Sequence, residues 1–192
     1  MMHKLLYLTG IIVVTLMELT SGNITLRAFR ESDAPGMSRL ANNEKIARNL
    51  RDGFPNPYTV ADATDFIKRF RHQKSFFAIE FEGEYVGNIS LTPCENVYRK
   101  TAEIGYFIGE PYWNKGIATA AVNLITEFGF KELGFARIHT GVYEYNPASQ
   151  KVLEKCGYVK EGVFKKSIFK MNQLWDEVRY AKINPAELPA LD

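Results

Sequence analysis

The chain has 192 residues, 46% of them apolar and 24% charged, a balance that fits one globular domain with a full core and excludes a chain too polar to fold. Its 24 basic and 22 acidic residues leave a formal charge of +2 spread along the sequence, so no nucleic-acid or other polyanionic partner is expected; the basic groups are short, such as Lys165-Lys166. The two cysteines, Cys94 and Cys156, are too few and too far apart for a zinc knuckle or a CxxC redox pair, which points to a reduced, cytoplasmic protein with no metal site.

Leu5 to Met17 is an almost unbroken apolar run behind His3 and Lys4. It matches the basic and hydrophobic parts of a secretory signal but falls short of the roughly 20 apolar residues that cross a bilayer, so no stable membrane insertion is expected. Glu18-Leu19-Thr20-Ser21-Gly22 makes only a weak cleavage site, and Met17 can equally be a start, because recognisable patterning begins at Ile24. Residues 1–22 are therefore read as an apolar extension, 23–184 as the folded domain and 185–192 as a tail.

Ile24 to Phe29 alternates and reads as an opening strand. Asp33 is placed to cap a helix carrying Met37, Leu40 and Ala41 on one face, and a second short helix is expected over Glu44 to Leu50. Asp52-Gly53-Phe54-Pro55-Asn56-Pro57 must be a loop. Thr59 starts a helix with Phe66, Ile67 and Phe70 on its apolar stripe. Phe76 to Phe81 and Tyr85 to Leu91 flank the turn Glu82-Gly83-Glu84 and form a hairpin.

Ala102 to Ile108 is the next strand, Ile117 to Phe130 a helix, and Arg137 to Tyr143 another strand. Asn146-Pro147-Ala148-Ser149 is a strong helix start, with Asn146 as cap and Pro147 in the first turn, and Gly157 stops that helix beneath Cys156. Tyr158 to Phe169 and Asp176 to Ile183 close the chain as two strands. The pattern is α/β with hairpins at both ends, without the regular alternation of a doubly wound nucleotide-binding sheet.

The segment Tyr112-Trp113-Asn114-Lys115-Gly116-Ile117-Ala118-Thr119 follows the strand that bears Glu103 and reads as a glycine turn into a helix. Such a turn aims several backbone N–H groups and the positive end of the helix dipole at one spot, the geometry of a phosphate or pyrophosphate site. An acid in the preceding strand can lie close to whatever the phosphates deliver. His139 has no second histidine or cysteine at metal-ligand spacing and is read as a satisfied strand histidine.

The ordered motifs Glu103-Ile104-Gly105-Tyr106, Trp113-Asn114-Lys115-Gly116-Ile117-Ala118, Asn146-Pro147-Ala148-Ser149 and Glu154-Lys155-Cys156-Gly157-Tyr158 resemble those of the GNAT family of acyl-coenzyme-A-dependent N-acetyltransferases. The branch of ribosomal-protein N-terminal acetyltransferases is the most similar. The resemblance covers about Ile24 to Lys182 and implies the GNAT fold, a mixed and largely antiparallel central sheet flanked by helices with a splayed strand pair. It implies acetyl-CoA as cosubstrate and a primary amine as acceptor, either a protein N-terminus or a small amine such as a polyamine or antibiotic. A noncatalytic acyl-CoA-binding protein is the remaining alternative, and a monomer or homodimer is expected.

By this resemblance Asn114, Lys115, Gly116, Ile117, Ala118 and Thr119 hold the coenzyme pyrophosphate, with Gly116 allowing close approach, Ala118 leaving room and Lys115 adding charge at the rim. Ile104 and Tyr106 lie on the strand edge that meets the pantetheine arm. Glu103 is the candidate base, acting directly or through a water. Asn146 orders the thioester end and Ser149 hydrogen-bonds the sulfur or a nearby water. Where many relatives carry a tyrosine acid one turn further along this helix, the chain has Leu153, so Ser149, a water, Tyr143 or Tyr145 takes that role or the coenzyme leaves as its thiolate. Phe54, Pro55 and Tyr58 either shape the acceptor cleft or close the core, and Glu31, Asp33, Asp52 and Asp62 would attract a polycationic acceptor if they converged.

Overall fold

A computed structural model describes residues 18–187; the apolar run Leu5 to Met17 and the end of the tail lie outside the described residues. The strands are β1 (Leu19–Ser21), β2 (Ile24–Arg27), β3 (Phe76–Phe81), β4 (Glu84–Pro93), β5 (Thr101–Ile108), β6 (Arg137–Tyr143), β7 (Val159–Lys170) and β8 (Gln173–Ile183). The α-helices are α1 (Ala34–Ala41), α2 (Glu44–Ala47), α3 (Val60–Phe70), α4 (Ile117–Lys131) and α5 (Pro147–Lys155). The strands form one sheet in the order β1-β2-β3-β4-β5-β6-β8-β7. Every neighbouring pair is antiparallel except β5 and β6, which are parallel. The expected mixed, largely antiparallel sheet flanked by helices is therefore the observed one.

Period-two alternation assigns the two faces. Ala102, Ile104 and Ile108 of β5, with Ile138 and Val142 of β6, enter one core together with Ile117, Ala121, Val122, Ile125 and Phe128 of α4 and Leu153 of α5. On the opposite face, Phe107 joins Met37 and Leu40 of α1, Ala63 and Ile67 of α3, Phe29 and Tyr58. Ile104 and Ile138 are at most 1% exposed, and each such side chain contributes roughly 1.5–3 kcal/mol through burial. Phe54 stacks on Tyr58 at 4.7 Å between ring centroids and meets Phe107 edge-on at 6.2 Å, so this aromatic group closes the second core; Pro55 is exposed.

Local signals explain the helix ends. Thr59 and Asp62 form a reciprocal capping box at α3, and Asn146 accepts the Ser149 N–H at 3.2 Å at α5. Several details differ from the sequence expectation. The second helix ends at Ala47, and Leu19–Ser21 adds an edge strand to β2. Asp33 precedes α1 without capping it, because its carboxylate is taken by Arg27. Arg27 Nη1 and Nη2 donate to the two Asp33 oxygens at 2.8 Å each, and Arg27 Nε donates to Glu80 at 2.6 Å.

Arg27 is 3% and Asp33 5% exposed, so removing one partner strands a buried charge. Arg27→Leu is expected to lower unfolding free energy by about 3–5 kcal/mol, read by urea denaturation. Arg27→Leu with Asp33→Leu should recover a large part of that loss.

Asp176, 6% exposed, ties β8 to the irregular middle of β7: it accepts from Lys165 Nζ at 2.7 Å and from the Lys166 N–H at 3.0 Å. The Lys165 hydrogen bond first, then the Lys166 backbone bond, hold its carboxyl down to about 2. Because the folded value lies below the unfolded one, this stabilisation is complete above about pH 4 and is lost as the pH falls through about 2. The stability difference between the native chain and Asp176→Asn is expected to be present at about pH 5 and to shrink toward zero near pH 2, as measured by urea midpoints across that range.

Candidate functional site

The parallel pairing of β5 with β6 covers only Thr101–Arg137, Ala102–Ile138 and Glu103–His139. Past Glu103, β5 continues to Ile108 paired with β4 alone, and past His139, β6 continues to Tyr143 paired with β8 alone. A wedge thus opens in the middle of the sheet, flanked by two strand edges whose backbone groups face each other unpaired. Backbone polar groups of this kind need partners, and an extended, amide-bearing ligand supplies them in the manner of an added strand.

At the wide end of the wedge lies the N-terminus of α4. Among the described residues, the backbone N–H groups of Asn114, Lys115, Gly116, Ile117, Ala118 and Thr119 have no acceptor within the protein; the first helical bond runs from the Ala120 N–H to the Gly116 carbonyl. Asn114 and Gly116 both adopt positive φ, 62° and 76°, so the chain turns sharply just before the helix. A Cβ built on Gly116 meets nothing within 4 Å, so the space before the helix is open. Unpartnered donors and a helix dipole give this turn the chemistry to hold an anionic group. Lys115 lies at its rim with its ammonium 5.4 Å from the Tyr112 ring centre. Trp113, 39% exposed, anchors the turn by donating Nε1–H to the Ile108 carbonyl at 2.7 Å. Ile104 and Ile117 are 1% exposed, so only their backbones can meet a ligand.

Along the wedge, the two faces of the sheet carry different chemistry. On the α4/α5 side, the Tyr106 hydroxyl and Ser149 Oγ are 2.9 Å apart, joining β5 to the first turn of α5 across the wedge. Burial pushes the Tyr106 phenol up to about 12. Glu103 shares the face of Phe107, opposite to Tyr106, and is 28% exposed at its side chain, where Arg51 donates to it at 2.5 Å. His139, its neighbour in the register, is half-buried; burial holds its pKa below the ordinary value, and its Nε2 lies 3.7 Å from Cys94 Sγ. A carboxylate on one face and a hydroxyl on the other, with an open seam between them, can handle the incoming nucleophile and the leaving group of an acyl transfer from opposite sides.

The structure brings the expected residues Glu103, Tyr106, Ser149 and the Asn114–Thr119 turn to the two banks and the end of this wedge, together with three partners that the sequence reading missed. Arg51 is 52 positions from Glu103, and no local pattern links them. Glu177 of β8 lies over Gly141 of β6, where any Cβ would stand 2.0 Å from its Oε1, and its carboxylate is 2.7 Å from Arg179 Nε. Lys170 holds the loop that carries Arg51 by donating to the Leu50 carbonyl and to Asp52, both at 2.7 Å. Tyr145, one of the tyrosines considered as an acid, instead donates its hydroxyl to the Arg48 carbonyl at 2.7 Å. The four acids considered for a cationic acceptor do not converge: Glu31 pairs with Arg71, Asp33 with Arg27, Asp52 with Lys170, and Asp62 with the Thr59 cap.

The acetyltransferase (GNAT) domain family matches residues 23–159. The chain belongs to the GNAT acetyltransferase family. A GNAT chain of this architecture is an acyl-coenzyme-A-dependent acetyltransferase. It is 30% identical over 163 residues to a prophage-derived N-acetyltransferase of Bacillus subtilis (83% of this chain, 89% of the relative). It is 27% identical to the spermidine N(1)-acetyltransferase of Escherichia coli (82% and 84%). A GNAT acetyltransferase structure from Bacillus anthracis superimposes with a TM-score of 0.78 at 28% identity (87% and 98%). The microcin C7 self-immunity acetyltransferase, solved with acetyl-CoA and AMP, gives 0.72 at 25% (85% and 94%). The ribosomal-protein-S5-alanine acetyltransferase of Vibrio fischeri shares the fold, with a TM-score of 0.76 at 23% (90% and 100%). The relatives span several GNAT subfamilies, so the family is broader than the single ribosomal branch expected from the motifs.

Gly116→Ala is expected to destabilise the protein by roughly 1–2 kcal/mol. The loss comes from the left-handed backbone alone, since the added methyl has open space, and thermal denaturation of the ligand-free protein reads it directly.

Proposed function

We propose that this protein moves the acetyl group of acetyl-CoA onto a primary amine, and that the amine is the α-amine of a protein N-terminus. The observation that carries this reading is the wedge itself: an unpaired seam with six free N–H donors at one end and Glu103 at the other. In this reading the donors from Asn114 to Thr119 take the coenzyme pyrophosphate, and the free edge of β5 at Ile104 and Tyr106 takes the pantetheine amides. Ala118 leaves space beside the phosphates, and Lys115 screens their charge. Asn146 already caps α5 through its side-chain oxygen, which leaves its amide N–H groups to order the thioester end.

The acceptor enters from the face that carries Glu103. Its ammonium displaces Arg51, Glu103 takes one proton directly or through a water and passes it to solvent, and the neutral nitrogen attacks the acetyl carbon and gives up its second proton to Glu103 as the amide forms. The C–N bond forms, the C–S bond breaks, and the electron pair stays on sulfur, where Ser149 meets it.

The choice of acceptor is supported by the charge pairing of this face. Glu103, Asp52 and Glu177 each have a basic partner, and Glu31, Asp33 and Asp62 are engaged elsewhere. A cleft of this kind offers no surplus of carboxylates to hold a polyamine, whereas a single ammonium followed by neutral peptide fits it. The likeness to a spermidine acetyltransferase makes a small polyamine the competing acceptor.

Acetyl-CoA-dependent thiol release should occur with peptides bearing free N-termini and not with spermidine. Release confined to small amines overturns the acceptor assignment. Glu103→Gln should lower kcat by about 10²–10⁴-fold with unchanged CoA affinity by calorimetry. Coenzyme binding without release for any acceptor would leave a binding protein in place of an enzyme.

A further inference from the structure

Ser149 is the only hydroxyl-bearing residue of α5, and among the described residues its Oγ has one hydrogen-bond partner, the hydroxyl of Tyr106. The phenol is much the stronger acid of the two and therefore the better donor. It stays protonated across the working range, since burial raises it to about 12. When Tyr106 is the donor of this pair, its hydrogen takes one lone pair of Ser149 Oγ and the serine hydrogen is free for another acceptor.

Tyr106 is also well fixed. Its ring packs with the α4-side core, and β4 holds its backbone through the Ile89 pairing. Ser149 is fixed by Asn146, which receives its N–H. Two rigid elements on opposite banks of the wedge thus set the direction of one O–H bond. Preorganised donors of this kind are most effective where negative charge develops.

We infer that Tyr106 is a positioning residue whose hydroxyl orients Ser149 to donate its hydrogen bond to the thiolate sulfur of the departing coenzyme. This rests on the acetyl-transfer reading above. Ser149 need not give up its proton: it stabilises the sulfur that received the C–S electron pair, and the amine proton leaves by way of Glu103. The tyrosine absent at Leu153, which is wholly buried, is thereby replaced by a hydroxyl pair assembled from two different elements.

The test reads the sulfur itself and needs no acceptor. The thiol of bound CoA is titrated by thiolate absorbance in the native chain and in Tyr106→Phe, Ser149→Ala and the double variant. Desulfo-CoA complexes are subtracted to remove signals from Cys94, Cys156, Tyr158 and the other tyrosines. The bound thiol of the native protein is expected to titrate about one pKa unit below that of Tyr106→Phe, a tenfold change in its ionisation constant. Ser149→Ala should give the same shift and the double variant no further one, because the pair acts as a unit.

Tyr106→Phe keeps the ring and its packing, so a purely structural role would alter stability or affinity and leave the thiol where it is. An unchanged thiol in Tyr106→Phe, or shifts that add in the double variant, overturns the inference while leaving acetyl transfer intact. A native protein that binds no CoA overturns both, and the calorimetric isotherm separates that outcome from the first.

Discussion

Three residue pairs of parallel sheet hold the functional centre together. Between Thr101–Glu103 and Arg137–His139 the two halves of the sheet are stitched by backbone hydrogen bonds, and beyond that stitch they diverge. One half is β1 to β5 with α1 and α3, and the other is β6, β8 and β7 with α5. A longer stitch would close the wedge and leave no unpaired edge for a ligand, and none at all would separate the halves. α4 packs beneath both β5 and β6, so the core on that side bridges the opening that hydrogen bonds do not cover. The opening is tolerable because its backbone groups can be paired by solvent or ligand, which a dry core would not permit.

The same divergence sorts the chemistry by face. Residues alternate along β5, so Glu103 and Tyr106, three apart, point to opposite sides of the sheet. In the proposed reaction the proton acceptor is thereby kept away from the hydroxyl pair, so the two can serve opposite ends of one transfer without neutralising each other. On the Glu103 side the carboxylates are matched with Arg51, Lys170 and Arg179. Arg51 is largely exposed at its side chain, and an ion pair of that kind contributes little to stability, so its displacement by an incoming ammonium costs little.

The loop that carries Arg51 owes its position to distant parts of the chain. Residues 48–52 are held by the Tyr145 hydroxyl and by the Lys170 ammonium, while Trp175 meets the Tyr145 ring edge-on at 4.7 Å and donates to the Lys170 carbonyl. The β7/β8 hairpin therefore reaches across the wedge and fixes the loop that carries Arg51 over Glu103. This couples the strand pair farthest along the sheet to the face on which the acceptor is proposed to bind.

Local chemistry determined much of this protein from the sequence alone. Period-two and helical spacing placed β3, β6 and α5 within a residue of their observed bounds, and the Thr59 and Asn146 caps followed from side chains that satisfy orphan N–H groups two or three residues on. The Gly116 turn was legible because a left-handed residue before an apolar helical run has few other uses. What only the tertiary structure decided depends on long-range geometry. The three-pair stitch, the Arg51 cover on Glu103 and the dispersal of Glu31, Asp33 and Asp52 to separate partners all join residues whose separation in sequence carries no periodic signal. The meeting of Tyr106 with Ser149 is of the same kind, 43 positions apart. Each hydroxyl had a local reading, but only the packing of α5 against the far bank of the wedge turns them into a pair.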